Sequence, residues 1–149
     1  MTDKGIKFKP LGVAIIVILV IIILYYTSIN RITIDVSQVK SLKIQSLEKN
    51  INDGSWKWNE KEITRKEDIQ KVVGFLNSIK YRKIMQENDN GFGLVVIIKG
   101  EKDYTVVFKG NVVNVNGTNY RTNLPNNEKA HQIYKDLDYT EKNATNLMK

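Results

Sequence analysis

The stretch FGLVVIIKGEKDYTVVFKGNVVNVNGTNY, residues 92–120, decides the fold. Short apolar runs, rich in β-branched and aromatic residues, are separated by three turn sequences, at 100–103, 110–111 and 116–117. Such runs between turns predict strands, and the Asn-Gly at 116–117 is a strong two-residue hairpin signal. We predict four strands, at 92–99, 104–109, 112–115 and 118–122. Neighbours joined by such short turns must pair antiparallel.

A helix is predicted immediately upstream, over residues 64–80. Thr64 and Glu67 match the T-x-x-E capping box. Apolar residues then recur at helical spacing at 69, 72, 73, 76 and 79. Gly74 costs the helix about 1 kcal/mol relative to alanine, and its small size would let a sheet approach closely. Further strands are predicted at 39–47, 55–63 and 81–87, and a last helix at 128–137.

The predicted architecture is α+β, with an antiparallel β-meander packed against one or two helices. The domain is expected over residues 40–139, with a polar tail at 140–149. Its 100 or so residues suffice for one hydrophobic core.

The run LGVAIIVILVIIILYY, residues 11–26, predicts a transmembrane helix. Twelve of the fourteen residues at 11–24 are Leu, Ile or Val, and none is charged. On the insertion scale these twelve contribute about −4 to −7 kcal/mol. Extended to residue 29, the helix would be about 28 Å long, close to the ~30 Å hydrocarbon core. We expect a signal-anchor at 11–29 and a juxtamembrane segment at 30–39.

A cleaved signal peptide is the alternative interpretation of this run. The residues that follow its aliphatic part, Tyr-Tyr-Thr-Ser-Ile-Asn-Arg at 25–31, do not form a small-x-small cleavage site. Three lysines lie in the short tail at 1–10, and a single arginine follows the span before Lys40. By the positive-inside rule, the amino terminus is cytoplasmic and the domain lies outside a single-pass cell-membrane anchor.

Composition excludes several classes of function. The chain has no cysteine, so it has no disulfide, thiol nucleophile or thiolate metal site. The formal charge is +7, and removal of the tail's three lysines and one aspartate leaves +5. The basic residues are scattered among acids, which does not indicate nucleic-acid binding.

The search for chemistry yields no catalytic, cofactor or metal residues. His131 is the only histidine and is expected on the surface of the last helix. Glu87, Asp89 and Gly91 are better explained by a hairpin turn than by a calcium loop. The pair Glu60 and Glu62 and the pair Glu67 and Asp68 are not placed about a cleft by any pattern, although glycosidases use paired carboxylates. We therefore expect a protein that is not an enzyme.

Trp56 and Trp58 are the candidate ligand or partner residues. They lie two apart on a predicted strand, so both side chains face the same side of it. Two aromatic rings on one face can stack on sugar rings. They can equally form core beneath the helix or pack against a protein partner.

The segments ITRKEDIQKVVGFLNSIKYRKI (63–84) and 92–120 together resemble small membrane-anchored extracytoplasmic α+β domains of Gram-positive bacteria. The shared features are a capped helix, a strand meander and a closing Asn-Gly hairpin before a tyrosine, over residues 40–137. The excess of lysine over arginine and the frequent Asn and Ile are typical of an AT-rich bacterial genome. The resemblance carries no catalytic motif.

The function expected from these patterns is a non-enzymatic binding or regulatory module that contacts an envelope protein. The first alternative is a module that binds a cell-wall glycan through Trp56 and Trp58. The second is an envelope hydrolase with carboxylate catalysts. The lipid bilayer is the expected partner of residues 11–29.

Overall fold

The computed structural model is an α+β fold and describes residues 10–27, 29–49, 54–84, 93–122 and 126–144. The predicted turn at 88–91, residues 50–53 of the turn predicted at 50–54, and the tails at 1–9 and 145–149 lie outside the described residues. The described helices are α1 (Pro10–Thr27), α2 (Lys66–Ser78) and α3 (Asn126–Asp136). The described strands are β1 (Ile29–Asn30), β2 (Val39–Lys49), β3 (Trp56–Ile63), β4 (Tyr81–Lys83), β5 (Leu94–Gly100), β6 (Tyr104–Lys109), β7 (Val112–Val115), β8 (Thr118–Thr122) and β9 (Lys142–Asn143).

The described strands form one antiparallel sheet in the order β1-β4-β8-β7-β6-β5-β2-β3-β9. The run β5 to β8 is the predicted meander. Its Asn-Gly turn has positive φ at Asn116 (49°) and Gly117 (85°), as a tight hairpin with strands of right-handed twist requires. The predicted antiparallel meander is therefore confirmed.

The core lies between one face of the sheet and helices α2 and α3. Alternate residues of the central strands point into it, among them Leu42, Val96 and Phe108. Helix α2 contributes Val72, Val73, Phe75 and Leu76, and helix α3 contributes Ala130, Ile133 and Tyr134. The opposite face, called the outer face below, carries the intervening residues of the same strands, because side chains alternate along a strand.

Helix α1 has aliphatic side chains exposed all round it. Eleven of them, from Val13 to Leu24, are between 45% and 63% exposed. Taken over the described residues, none of the helices combines the length and the apolarity needed to cross a membrane.

The segment after β1 differs from the expected juxtamembrane stalk. Ile34 is buried in the core, and Ile32 and Val36 pack against it. The Asn77 side chain holds the segment from both sides. Its Oδ1 accepts from Ile34 N (2.9 Å), and its Nδ2 donates to Ile34 O (3.0 Å). These long-range contacts make the segment part of the domain.

The predicted capping box of α2 is wrong. The helix begins at Lys66 with Arg65 as its N-cap, and no side chain caps it. Asp68 in the first turn accepts hydrogen bonds from Arg65 Nε (2.7 Å) and from the Tyr139 hydroxyl (2.9 Å). A contact from beyond α3 therefore organises this helix start, which a local motif could not predict.

Part of the expected polar tail also joins the fold. Residues 142–143 form β9, which pairs with Asn59 and Glu60 of β3. Ala144 N donates to Trp58 O (3.0 Å), which extends the same ladder. The tail pairs here because the edge of β3 offers backbone groups for a further strand. Hydrophobic periodicity in the tail sequence does not predict this strand.

Gly74 does not face the sheet. It is exposed, and an added Cβ would meet no atom within 4 Å. Gly74→Ala is therefore expected to raise the free energy of unfolding by about 0.5 to 1 kcal/mol, because alanine loses less backbone entropy in a helix. Urea unfolding of the full chain in detergent, followed by circular dichroism, measures this. Gly100→Ala is the opposite control, since its Cβ would clash with the backbone oxygen of Gln38. A destabilised Gly74→Ala chain would contradict the expectation.

Candidate functional site

Strand β3 turns the two tryptophans to the outer face. Asn59, Lys61 and Ile63 of the same strand are buried on the core side. Trp56 is 65% exposed, and Trp58 is half-buried opposite Leu47 of β2. The alternative in which Trp56 forms core beneath the helix is therefore wrong. The two rings share one face, but they differ in how much of each a ligand could reach.

Glu60 anchors a polar network two residues beyond Trp58 on the same face. Lys43 Nζ donates to Glu60 Oε1 (2.9 Å), and Gln45 Nε2 donates to Glu60 Oε2 (2.8 Å). Partial burial by itself would raise the pKa of Glu60. The hydrogen bonds from Gln45 and Lys43 and the charges of Lys43 and Lys142 outweigh it and hold that pKa below its usual range. The hydrogen bond and negative charge of Glu60 in turn raise the pKa of Lys43.

A shallow cavity of about 340 Å³ adjoins this network. Its lining is Ser41, Lys43, Glu60, Ile97, Lys99, Lys142 and Asn143. Ammonium, carboxylate, hydroxyl and amide groups therefore line the cavity together with the apolar side chain of Ile97. Such a surface can hydrogen-bond hydroxyl groups or a polar peptide. We call Trp56, Trp58, this lining and Gln45, which donates to Glu60, the β3 surface.

The β3 surface has consequences for stability in acid. Because the pKa of Glu60 is lower in the folded chain than in the unfolded one, its carboxylate stabilises the fold above the unfolded pKa, about 4.3. That stabilisation is lost as the pH falls through the folded pKa. Glu60→Gln is therefore expected to reduce the loss of melting temperature between pH 6 and pH 3. Glu62→Gln is the matched control on the same strand. An equal acid response in all three chains would contradict the expectation.

Lys61 is a buried cation on the core side of β3. Its side chain is 8% exposed, and Nζ donates to the backbone oxygens of Tyr134 (2.9 Å) and Leu137 (2.8 Å). Nζ also lies 4.5 Å from the centre of the Tyr134 ring and 3.8 Å from Glu141 Oε1. Lys61 thus satisfies the carbonyls at the end of α3, where the helix dipole favours a cation. The role is structural.

His131 is half-buried rather than on the open surface. An added Cβ on Gly93 would stand 2.9 Å from its Nε2, so the ring lies close against the start of β5. Burial lowers the pKa of His131, as does the charge of Lys135, while Glu48 acts in the opposite direction. The lowered pKa favours the neutral form of the ring.

The remaining sequence candidates do not converge with His131. Glu60 belongs to the β3 surface, and Asp68 accepts from Arg65 and Tyr139 at the start of α2. Glu87, Asp89 and Gly91 lie outside the described residues. Among the residues that the structure does describe, no three His, Asp or Glu side chains could hold a metal ion together.

Sequence reasoning found the tryptophans but missed the polar part of the β3 surface. Lys43, Gln45 and Glu60 belong to two strands, and their meeting depends on the β2–β3 register. That register pairs Gln45 with Glu60 and Lys43 with Glu62. The alternation of charge along each strand was the one signal in the sequence. It indicates a polar network only when the register of the two strands is known.

Comparison with known proteins adds nothing to this geometry. No protein-family model matches the chain, and neither a curated protein nor a solved structure matches it.

Proposed function

We propose that this chain is a single-pass, membrane-anchored binding module of the outer cell surface that contacts an envelope protein through its β3 surface. The observation that carries the anchor is the uniform exposure of α1. Ten consecutive aliphatic residues, 15–24, are each at least 45% exposed, so this part of the helix is not packed against the domain. An apolar helix of this kind needs cover from outside its own chain. Lipid provides that cover for residues 11–29.

The direction of insertion follows from the flanking charge. Lys4, Lys7 and Lys9 precede the apolar run, and Arg31 stands alone after it. The positive-inside rule then leaves the amino terminus in the cytoplasm and the sheet outside.

The binding role is supported by the β3 surface itself. An exposed tryptophan beside satisfied polar groups is typical of the centre of a protein interface, where aromatic anchors contribute most of the affinity. Lys43, Gln45 and Glu60 already pair with one another, which favours recognition over acid–base chemistry. The proposal is accordingly a non-enzymatic module.

Site-specific crosslinking tests the proposal. A photoreactive amino acid replaces Trp56 in the full chain in intact cells, and a second chain carries it at Lys66, an exposed position on α2. We expect a discrete adduct with one envelope protein from position 56 and none from position 66. The same adduct pattern from both positions, or recovery of the chain from the cytosol, would overturn the proposal.

The exposure of Trp56 also favours a second candidate, a module that binds a cell-wall glycan. Sugar rings stack on open aromatic faces, and hydroxyl groups would reach the polar cavity beside them. Trp56→Ala is then expected to weaken sedimentation of the detergent-solubilised full chain with purified wall by about tenfold, equivalent to about 1.4 kcal/mol. Lys57→Ala, on the same strand but the opposite face, should change little. Equal sedimentation of both variants would exclude this candidate.

A further inference from the structure

The edge of the sheet next to α1 is strongly basic. Its described segments, 29–31, 80–84 and 118–122, contain five cations and no Asp or Glu. We call these five residues the basic edge: Arg31, Lys80, Arg82, Lys83 and Arg121. Four are exposed and Lys83 is half-buried. The rest of the domain mixes both signs of charge, as in the pairs of Lys43 with Glu60 and Lys99 with Asp103.

The basic edge lies at the point where α1 joins the domain. Only one residue separates Thr27, the last of α1, from Ile29, and Ile29 pairs with Arg82. Two Cα steps of 3.8 Å and one interstrand spacing of about 5 Å place Arg82 within about 13 Å of the end of α1. Helix α1 also lies near β4 in the fold. A surface that α1 enters is therefore close to Arg82 and to the strand that carries it.

The pairing across this edge puts like charges together. Arg82 of β4 stands directly opposite Arg121 of β8. This register brings two of the five positive charges together at one point of the edge.

We propose that the basic edge binds the phosphate headgroups of anionic phospholipids and so lays the β1–β4–β8 side of the sheet on the bilayer. This inference rests on the proposed anchor. It names the lipid surface as a second contact and sets the orientation of the domain. Seven interstrand steps separate β1 from β3, which is about 34 Å at 4.8 Å each. Trp56 would then be presented well away from the lipid.

The test uses the full chain, which has no cysteine of its own. A single cysteine replaces Thr122 beside the basic edge or, in a control chain, Asn143 on β9 at the far edge. Each carries a fluorophore, and the chains are reconstituted into phosphatidylcholine vesicles with and without phosphatidylglycerol. A quencher attached to the lipid headgroup lowers the fluorescence when the labelled residue lies close to the bilayer surface. We expect phosphatidylglycerol to increase quenching at position 122 about twofold or more, and added salt to reverse it. Position 143 should not respond.

Matched variants then assign the effect to the edge. Lys80→Gln with Arg82→Gln should abolish the increase at position 122, whereas Lys57→Gln with Lys66→Gln, two exposed lysines elsewhere, should leave it intact. Circular dichroism checks that both variants are folded. If the first does not fold, the lipid and salt dependence of the unsubstituted chain decides the outcome.

Two failures are distinguishable. If the chain does not float with either kind of vesicle, the anchor itself is wrong and the inference falls with it. If the chain floats with both but quenching at position 122 is the same, only the basic-edge inference is overturned.

Discussion

Lys61→Ala is expected to lower the free energy of unfolding by about 3 to 5 kcal/mol. The change removes two charged hydrogen bonds, to the backbone oxygens of Tyr134 and Leu137, and the Leu137 oxygen keeps another donor, Tyr139 N (3.0 Å). These oxygens lie in the last turn of helix α3 and just beyond it, where helix carbonyls have no partner inside the helix. It also deletes a buried aliphatic stem and the contact with the Tyr134 ring. Urea unfolding of the full chain in detergent measures the difference.

Lys61→Met separates the two contributions. Methionine retains most of the packing volume but donates no hydrogen bond, so its loss should be smaller than that of alanine and still more than about 1 kcal/mol. Lys57→Ala, four residues earlier on the same side of β3 but exposed, should have an effect within about 0.5 kcal/mol. A Lys61→Ala chain as stable as the Lys57→Ala chain would contradict the assigned role.

Arginine at both Ile18 and Ile21 is expected to prevent stable membrane insertion. Each Ile→Arg change near the centre of a span costs about 3 kcal/mol or more on the insertion scale. Two such changes offset most of the −4 to −7 kcal/mol estimated for the whole run. The chain should therefore move from the carbonate-resistant membrane fraction to the supernatant after cell-free synthesis with membrane vesicles, with the bound fraction reduced more than tenfold.

The conservative pair controls this experiment. Ile18→Leu with Ile21→Leu keeps the run apolar and should remain in the membrane fraction. Both positions are more than half exposed, at 56% and 60%, so neither pair of changes removes packing within the domain. Retention of the arginine variant in the membrane fraction would argue against residues 11–29 as the anchor.

The meander was predictable because its signals are local. The strands at 104–109, 112–115 and 118–122 have the bounds that their turns implied. Glycine and asparagine at the turns adopt conformations that other residues avoid, so they mark strand ends in sequence alone. The stripe of α2 was likewise visible, since Val72, Val73 and Leu76 recur at helical spacing and are all buried.

Which face of β3 is buried was not predictable from its sequence. Its more apolar side carries Trp56 and Trp58, yet the core side carries Asn59, Lys61 and Ile63. Lys61 is tolerated inside because the end of α3 offers carbonyl acceptors, and α3 is more than 60 residues away in sequence. Alternation therefore placed the tryptophans together but could not say whether they faced the core.

The sequence by itself determined the elements, their antiparallel neighbours in the meander and the apolar run ahead of the domain, because each depends on contacts within a few residues. Only the tertiary structure decided that the segment before β2 docks on Asn77, that β9 closes one edge and that the basic edge adjoins α1. Those features join parts of the chain that are distant in sequence. Their free energy comes from pairings that a local pattern cannot encode.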